Sequence, residues 1–269
     1  GERRGLRKLE TNHCGKFGLD LEFGAFRHAN FNGTTSFINI GTATTWNSII
    51  GNNTSEGPIF SFSFWFNSSD LSSYNSVVDF SLGDIYIYIA SSFIGFKETW
   101  FNSTSGVTTS HDWAAGTSLS TDQWYHVVIT HDATSYANVP KIYLNGAELT
   151  ITSAIQPTSA LTKSAISGVQ DVFIGTYNSS LYLNGSLDEF AVWHKVLTAQ
   201  EVELIYNSDR ALSLKGAGVD DDVVGWYGMG SDHDVELQIH DLSGNGNHGL
   251  GNAISLSFED TTKPSHHKI

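Results

Sequence analysis

Cysteine is nearly absent: Cys14 is alone in 269 residues, so no intrachain disulfide can form and the fold cannot be a disulfide-stapled scaffold. The hydrophobic core must therefore carry the stability. No apolar run approaches the roughly 20 residues that a membrane helix needs, and the Arg-rich start lacks the apolar stretch of a signal peptide. The chain as given is expected to be soluble, with no membrane insertion. Positive charge is also scarce, with 14 Lys and Arg against 28 Asp and Glu and a net charge of -14, which disfavours nucleic acid as a partner. Four of those cations, Arg3, Arg4, Arg7 and Lys8, form a basic arm ahead of the acidic body. Such an arm is either solvated or docked on an acidic partner. The leading Gly1 fits removal of an initiator methionine or a processed precursor equally well.

What the sequence does contain is β-structure. It is 40% hydrophobic and 12% aromatic, with Ser, Thr, Asn and Gly crowding the gaps between short apolar runs. In residues 60–66, strict alternation sets Phe60, Phe62, Phe64 and Phe66 on one face and Ser61, Ser63 and Trp65 on the other, the pattern of a half-buried strand. Ile85, Ile87 and Ile89 alternate in the same way with Tyr86 and Tyr88, and residues 124–130 and 141–144 are further β runs. Asn145-Gly146 supplies the positive φ angles of a tight hairpin, and Asn184-Gly185 reads as a second such turn.

One short helix is predicted. Thr198 and Glu201 form a capping box, and Val202, Ile205 and Tyr206 share an apolar stripe behind it. Beyond it, Gly216–Gly218 and Asp220–Asp222 make a polar connector and Val223–Tyr227 read as one more strand. That strand belongs either to an edge of the same sheet or to an extension that anchors the chain in a larger assembly.

The ordered motifs resemble one family. Residues 29–38 look like the opening strand of laminin-G-like jelly rolls of the concanavalin A-like superfamily, and residues 60–66 like the next core strand. Residues 123–128 leading to 142–146 are similar to the central hairpin of that family, and residues 173–175 and 183–190 with the Thr198 helix to its closing block. The resemblance implies an all-β, two-sheet antiparallel jelly-roll β-sandwich over residues 26–208, with a basic arm and lead-in strand over 1–25 and a C-terminal extension over 209–269. Gly225–Gly230 and Asp241–Gly249 resemble pairs that flank such modules in bacteriophage structural and adhesion proteins. That similarity implies a virion protein, partnered by capsid or tail proteins within a homo-oligomer or larger assembly. A glycan-binding module of a bacterial surface or secreted protein is the alternative, since fold alone does not determine function.

Three kinds of site follow for such a fold. Glycoside hydrolase relatives use paired carboxylates from a Glu-x-Asp-x-x-Glu strand, which is missing; Asp188 and Glu189 are adjacent, so regular strand alternation points them to opposite faces. His111, His126 and His131 have Ser and Asp neighbours but no nucleophile-elbow motif, and no catalytic residue is expected. Many relatives hold Ca²⁺ between the opening loop and an Asp of the closing block, which implies Asn32, Gly33 and Asp188 as ligands here, although the loop Asn32–Ser36 offers only neutral oxygens. An EF hand at Asp241 is excluded because its last position is Asn252. Sugar faces stack on exposed aromatic rings, which nominates Trp65, Tyr86 and Tyr88, with Trp100 and Trp113 in intervening loops, as the wall of one glycan groove. The same rings can equally be core. Sequons at Asn32, Asn52, Asn53, Asn67, Asn102, Asn178 and Asn184 are what chance gives in a chain this rich in Asn, Ser and Thr, and His266-His267 is a weak metal-binding pair.

Overall fold

A computed structural model describes residues 27–42, 44–46, 58–80, 84–102, 107–156, 162–163, 171–207, 213–230, 234 and 237–258. The basic arm, Cys14, Asn52, Asn53 and the His266-His267 pair lie outside the described residues. In chain order the first strands are β1 (Arg27–Asn32), β2 (Phe37–Thr42), β3 (Ile59–Ser68), β4 (Asn75–Phe80), β5 (Ile85–Ala90), β6 (Phe93–Asn102) and β7 (Val107–Gly116). Next come β8 (Tyr125–Asp132), β9 (Lys141–Leu144), β10 (Ala147–Glu148), β11 (Ile151–Ile155), β12 (Thr162–Lys163), β13 (Asp171–Ile174), β14 (Thr176–Tyr177), β15 (Leu181–Tyr182) and β16 (Asn184–Trp193). Helices α1 (Ala199–Asn207) and α2 (Ser213–Ala217) precede β17 (Val223–Tyr227), β18 (Gln238–Ile239), β19 (Gly249–Asn252) and β20 (Ser255–Phe258).

The strands pair antiparallel into two large sheets. The first runs β10-β9-β8-β3-β16-β1-β20 with β17 also on β16, and the second runs β11-β7-β6-β5-β4-β13-β2-β19-β18 with β12 on β6. The expected jelly-roll sandwich is therefore present, and its period-2 patterning explains it. Phe60, Phe62, Phe64 and Phe66 are fully buried and face Phe80, Phe96 and the Ile85, Ile87 and Ile89 set of the second sheet. Each such burial is worth about 1.5–3 kcal/mol, enough to lock the register of both sheets. Asn145 and Gly146, at φ 50° and 80°, make the predicted two-residue turn between β9 and β10. Asn184-Gly185 does not turn the chain: it opens β16, where a Cβ on Gly185 would stand 2.1 Å from the Asn67 carbonyl oxygen of the neighbouring strand.

The C-terminal segment belongs to the sandwich. β17 lies on β16, β20 on β1 and β19 on β2, so strands after residue 208 extend both sheets. The expected boundary at 208 marks the end of the motif-matched part and not the end of the β-pairing. Asp241 holds this segment in place. Its carboxylate accepts the backbone N–H groups of Trp226 (3.0 Å), Ser243 (3.0 Å) and Asn247 (2.9 Å), while the Tyr227 hydroxyl donates to the Asn247 carbonyl at 2.6 Å. The Asp-Leu-Ser-Gly-Asn-Gly-Asn run is thus a structural clamp, consistent with its not being an EF hand.

The two outer faces differ, and that difference positions the site. Over the first sheet, α1 and α2 lay Val202, Ile205 and Leu214 on Val128, Tyr143, Ala191 and Trp193, a second small core. Thr198 caps α1 as predicted, its N–H donating to Glu201 Oε2 at 2.8 Å and its hydroxyl accepting the Glu201 N–H at 3.3 Å. Over the second sheet the β14–β15 hairpin covers the β4 side, where the Asn178 N–H donates to Asp79 at 3.3 Å and Tyr177 meets Tyr86.

Candidate functional site

On the outer face of the second sheet, alternation presents the other half of each strand: Asp79 and Tyr86 are buried beneath the β14–β15 hairpin, while Tyr88, Lys97 and Asp112 are partly exposed. One cross-strand row reads Asp79, Tyr86, Lys97, Asp112 and Ile155 across β4, β5, β6, β7 and β11. The next reads Tyr88, Gly95 and Ala114. Tyr86 and Tyr88 stack at 5.1 Å between ring centroids, Tyr177 joins Tyr86 at 4.5 Å, and Tyr74 and Phe93 meet Tyr88 at 5.4 and 5.8 Å. Five aromatic rings thus form one continuous patch, with Tyr74 51% exposed at its rim.

Tyr88 is the centre of this patch. Its ring lies directly over Gly95, where a Cβ would come within 2.2 Å of Tyr88 Cζ, so the ring occupies the space that a side chain at 95 would fill. Its hydroxyl donates to Asp112 Oδ1 at 2.6 Å. Burial, and after it the Asp112 hydrogen bond, pushes the Tyr88 phenol far above its ordinary range, and burial does the same for Tyr86. Both remain neutral donors at any physiological pH. Beside them an open pocket of about 420 Å³ is lined by Tyr88, Ser92, Phe93, Asp112, Ala114, Thr152, Ser153 and Ile155. It joins an apolar wall, hydroxyl groups and one carboxylate within the size range of small-ligand clefts.

The sequence-derived groove of Trp65, Tyr86, Tyr88, Trp100 and Trp113 is split three ways. Tyr86 and Tyr88 are in the patch. Trp100 and Trp113 are strand residues of β6 and β7 and not loop residues; they share the inward register of Phe96 and are 1% and 0% exposed. There they pack with His111 and His131 around Glu98, whose Oε1 accepts the Trp100 indole N–H at 2.6 Å. Trp65 lies on the opposite side of the sandwich, half-buried between His126 and Tyr206 of α1, at 5.0 and 5.8 Å. It cannot share a groove with Tyr86 and Tyr88. Tyr74, Phe93 and Tyr177 were missed: Phe93 is readable from the β5–β6 hairpin register opposite Ala90, whereas Tyr74 and Tyr177 carry no periodic signal.

The implied calcium ligands do not converge. Asn32 Oδ1 accepts the N–H groups of Thr34, Thr35 and Ser36 at 3.0, 2.8 and 3.1 Å, organising the loop in which Gly33 takes φ 73°. Asn32 pairs with Asn184, four residues before Asp188 on β16, a separation of about 13 Å along the strand. Asp188 is fully buried opposite Trp65, and its Oδ1 accepts the Glu189 N–H at 2.9 Å. The three residues do not fit a common ion.

Nor do the candidate catalytic groups assemble at a surface. β16 bulges at Glu189, where φ is 50°, so the alternation expected for Asp188 and Glu189 breaks and Glu189 Oε2 accepts the Trp226 indole N–H at 2.7 Å. Ser63 Oγ and His126 Nε2 do form a 2.9 Å pair that the sequence did not reveal. Both residues are buried, and Tyr206 stacks on the imidazole at 5.8 Å, so the pair is enclosed beneath α1.

With this geometry in view, comparison with known proteins places the chain. Residues 32–203 match a laminin-G profile described as the Concanavalin A-like lectin/glucanases superfamily, and the chain belongs to that superfamily. Its fold is similar to that of a protein from Bacteroides ovatus named as a "putative carbohydrate binding protein", with a TM-score of 0.59, 16% identity, and coverage of 88% of this chain and 60% of that one. The chain thus spans less than two thirds of that protein's length. A heptameric SAP-like pentraxin from Limulus polyphemus aligns at TM-score 0.45 and 14% identity, over 68% of this chain and 82% of that one. The Ruminococcus gnavus IT-sialidase CBM40 bound to α2,3-sialyllactose aligns at 0.43 and 13%, over 68% and 100%. No curated protein matches the chain in sequence.

Proposed function

We propose that the chain is a non-catalytic, lectin-like module that binds glycans on the outer face of its second sheet. The observation that carries this reading is the aromatic patch of Tyr74, Tyr86, Tyr88, Phe93 and Tyr177 beside a pocket with hydroxyl and carboxylate groups. A pyranose ring has a C–H face that packs on aromatic rings and hydroxyls that need directed polar partners. Membership of a superfamily named for lectins and glucanases supports sugar recognition. Between those two activities, binding is favoured because Asp188, Glu189, Ser63 and His126 are buried or engaged in internal hydrogen bonds. Calcium has no part in this reading.

Display on a virion, through capsid or tail proteins, remains our proposed setting and rests on the sequence resemblance alone; Gly225–Gly230 and Asp241–Gly249 serve the sandwich itself. Copurification of capsid or tail proteins with the native chain tests that setting. Binding is tested by a glycan array probed with the full chain and with Tyr74→Ala/Phe93→Ala. The reading expects discrete glycan hits that the double variant loses. An array without hits, or hits that the variant retains, overturns it, and release of reducing sugar from a bound polysaccharide would make the protein an enzyme.

A further inference from the structure

Resting on that glycan-binding reading, we infer that the pocket beside Tyr88 selects neutral sugars and rejects sialylated, sulfated or uronic ones, and that it does so without a metal ion. The inference comes from the chemistry of the lining. Tyr88, Ser92, Phe93, Asp112, Ala114, Thr152, Ser153 and Ile155 include one carboxylate and no Lys, Arg or His. Asp112 is half-buried and anchored, since its Oδ1 accepts the Tyr88 hydroxyl at 2.6 Å. Among the described residues its Oδ2 accepts no hydrogen bond from the protein. A carboxylate oxygen held in the lining of this pocket is an acceptor for sugar hydroxyls. Charge-assisted bonds of that kind are shorter and roughly twice as strong as neutral ones.

The same oxygen excludes anions. A ligand carboxylate or sulfate entering the pocket would meet a like charge at close range in a partly desolvated setting, where neither charge is well screened. The cation of this cross-strand row, Lys97, lies between Tyr86 and Asp112, with Asp79 beyond Tyr86. The row therefore carries two carboxylates to one ammonium, and Lys97 does not line the pocket. The chain as a whole, at -14, adds a repulsive field to the approach of any acidic glycan. Metal independence follows from the same lining, because one carboxylate and scattered hydroxyls fall short of the six to eight oxygens that Ca²⁺ takes.

The test uses pairs of probes that differ in charge: lactose against 3′-sialyllactose, and galactotriose against trigalacturonate. Each is titrated into the full chain with and without EDTA, and into Asp112→Asn. Asn keeps an acceptor for Tyr88 and removes the charge. The inference expects the neutral member of a bound pair to bind at least tenfold more tightly at low salt, the ratio to shrink in Asp112→Asn, and EDTA to change nothing. Equal or tighter binding of the anionic member, or an unchanged ratio in Asp112→Asn, overturns it while leaving glycan binding intact. Loss of binding in EDTA overturns the metal-free claim. If no sugar on the pairs or the array binds, the glycan-binding reading itself fails and this inference falls with it.

Discussion

Gly95→Ala is a minimal change with a sharply defined consequence. The new Cβ would stand 2.2 Å from Cζ and 2.5–2.6 Å from both Cε atoms of Tyr88, against an ordinary contact distance of 3.4–4 Å. The β6 backbone is fixed by ten register pairs with β7 and six with β5, so the ring must yield and the strand stays. To clear the methyl group it retreats by more than an ångström, which breaks the 2.6 Å hydrogen bond to Asp112 and lifts the centre of the aromatic patch. That bond is internal, so its loss, about 1.5–3 kcal/mol, counts against folding, and affinity falls because the displaced ring no longer offers its face to ligand. Replacing Gly by Ala inside a strand returns about 0.5–1 kcal/mol of backbone entropy, so the net loss of stability should be about 1–2 kcal/mol. Isothermal titration with a glycan selected on the array, paired with a thermal melt, measures both quantities. Gly95→Ala that binds within twofold of the parent, or that melts at or above the parent's temperature, refutes the reasoning.

Other parts of the structure make independent predictions. Asp241→Ala leaves the N–H groups of Trp226, Ser243 and Asn247 without their acceptor and should lower stability by about 3 kcal/mol in urea unfolding. Truncation before residue 220 removes β17, β19 and β20 from both sheets, so the remaining chain should be insoluble or should lack a cooperative thermal transition; a well-folded product would show that the C-terminal segment is a dispensable extension. Thr198→Ala removes half of the α1 capping box and should cost about 1 kcal/mol. Burial alone would raise the Glu201 pKa, but hydrogen bonds from Lys195 and Thr198 outweigh it and hold the carboxyl below its usual range. A depressed folded pKa stabilises above the unfolded value and loses that contribution as pH falls through the folded one. The stability gap between the parent and Glu201→Gln should accordingly close as the pH drops below about 4.

The sandwich was legible because burial writes itself into strands with period 2. Phe60–Phe66, Ile85–Ile89, the Asn145-Gly146 turn and the Thr198–Glu201 cap needed only local rules, and all are found. One source of failure is that alternation shows which residues share a face but not which face is covered. Tyr86 and Trp65 are both outward-facing strand aromatics, yet Tyr206 of α1 stacks on Trp65 and Tyr177 of the β14–β15 hairpin covers Tyr86, leaving Tyr88 and Tyr74 as the accessible part of the patch. Trp100 and Trp113, read as loop residues, are strand residues of the core, buried together with Glu98 and His111. Asn184-Gly185 looked like a turn because the close approach of Asn67 that demands its glycine is a long-range contact. The Asp241 clamp was likewise invisible, since it joins Trp226 of β17 to the loop residues Ser243 and Asn247 through backbone N–H groups.

The central claim is that the outer face of the second sheet is where ligand binds. Chemical-shift mapping of the full chain with an array-selected glycan tests it most directly. The account predicts that the perturbed amides cluster at Tyr74, in β5, β6 and β7 from Ile85 to Gly116, and at Thr152–Ile155. Perturbations centred instead on the Asn32–Ser36 loop, or on Trp65 and Tyr206 across the sandwich, would contradict it.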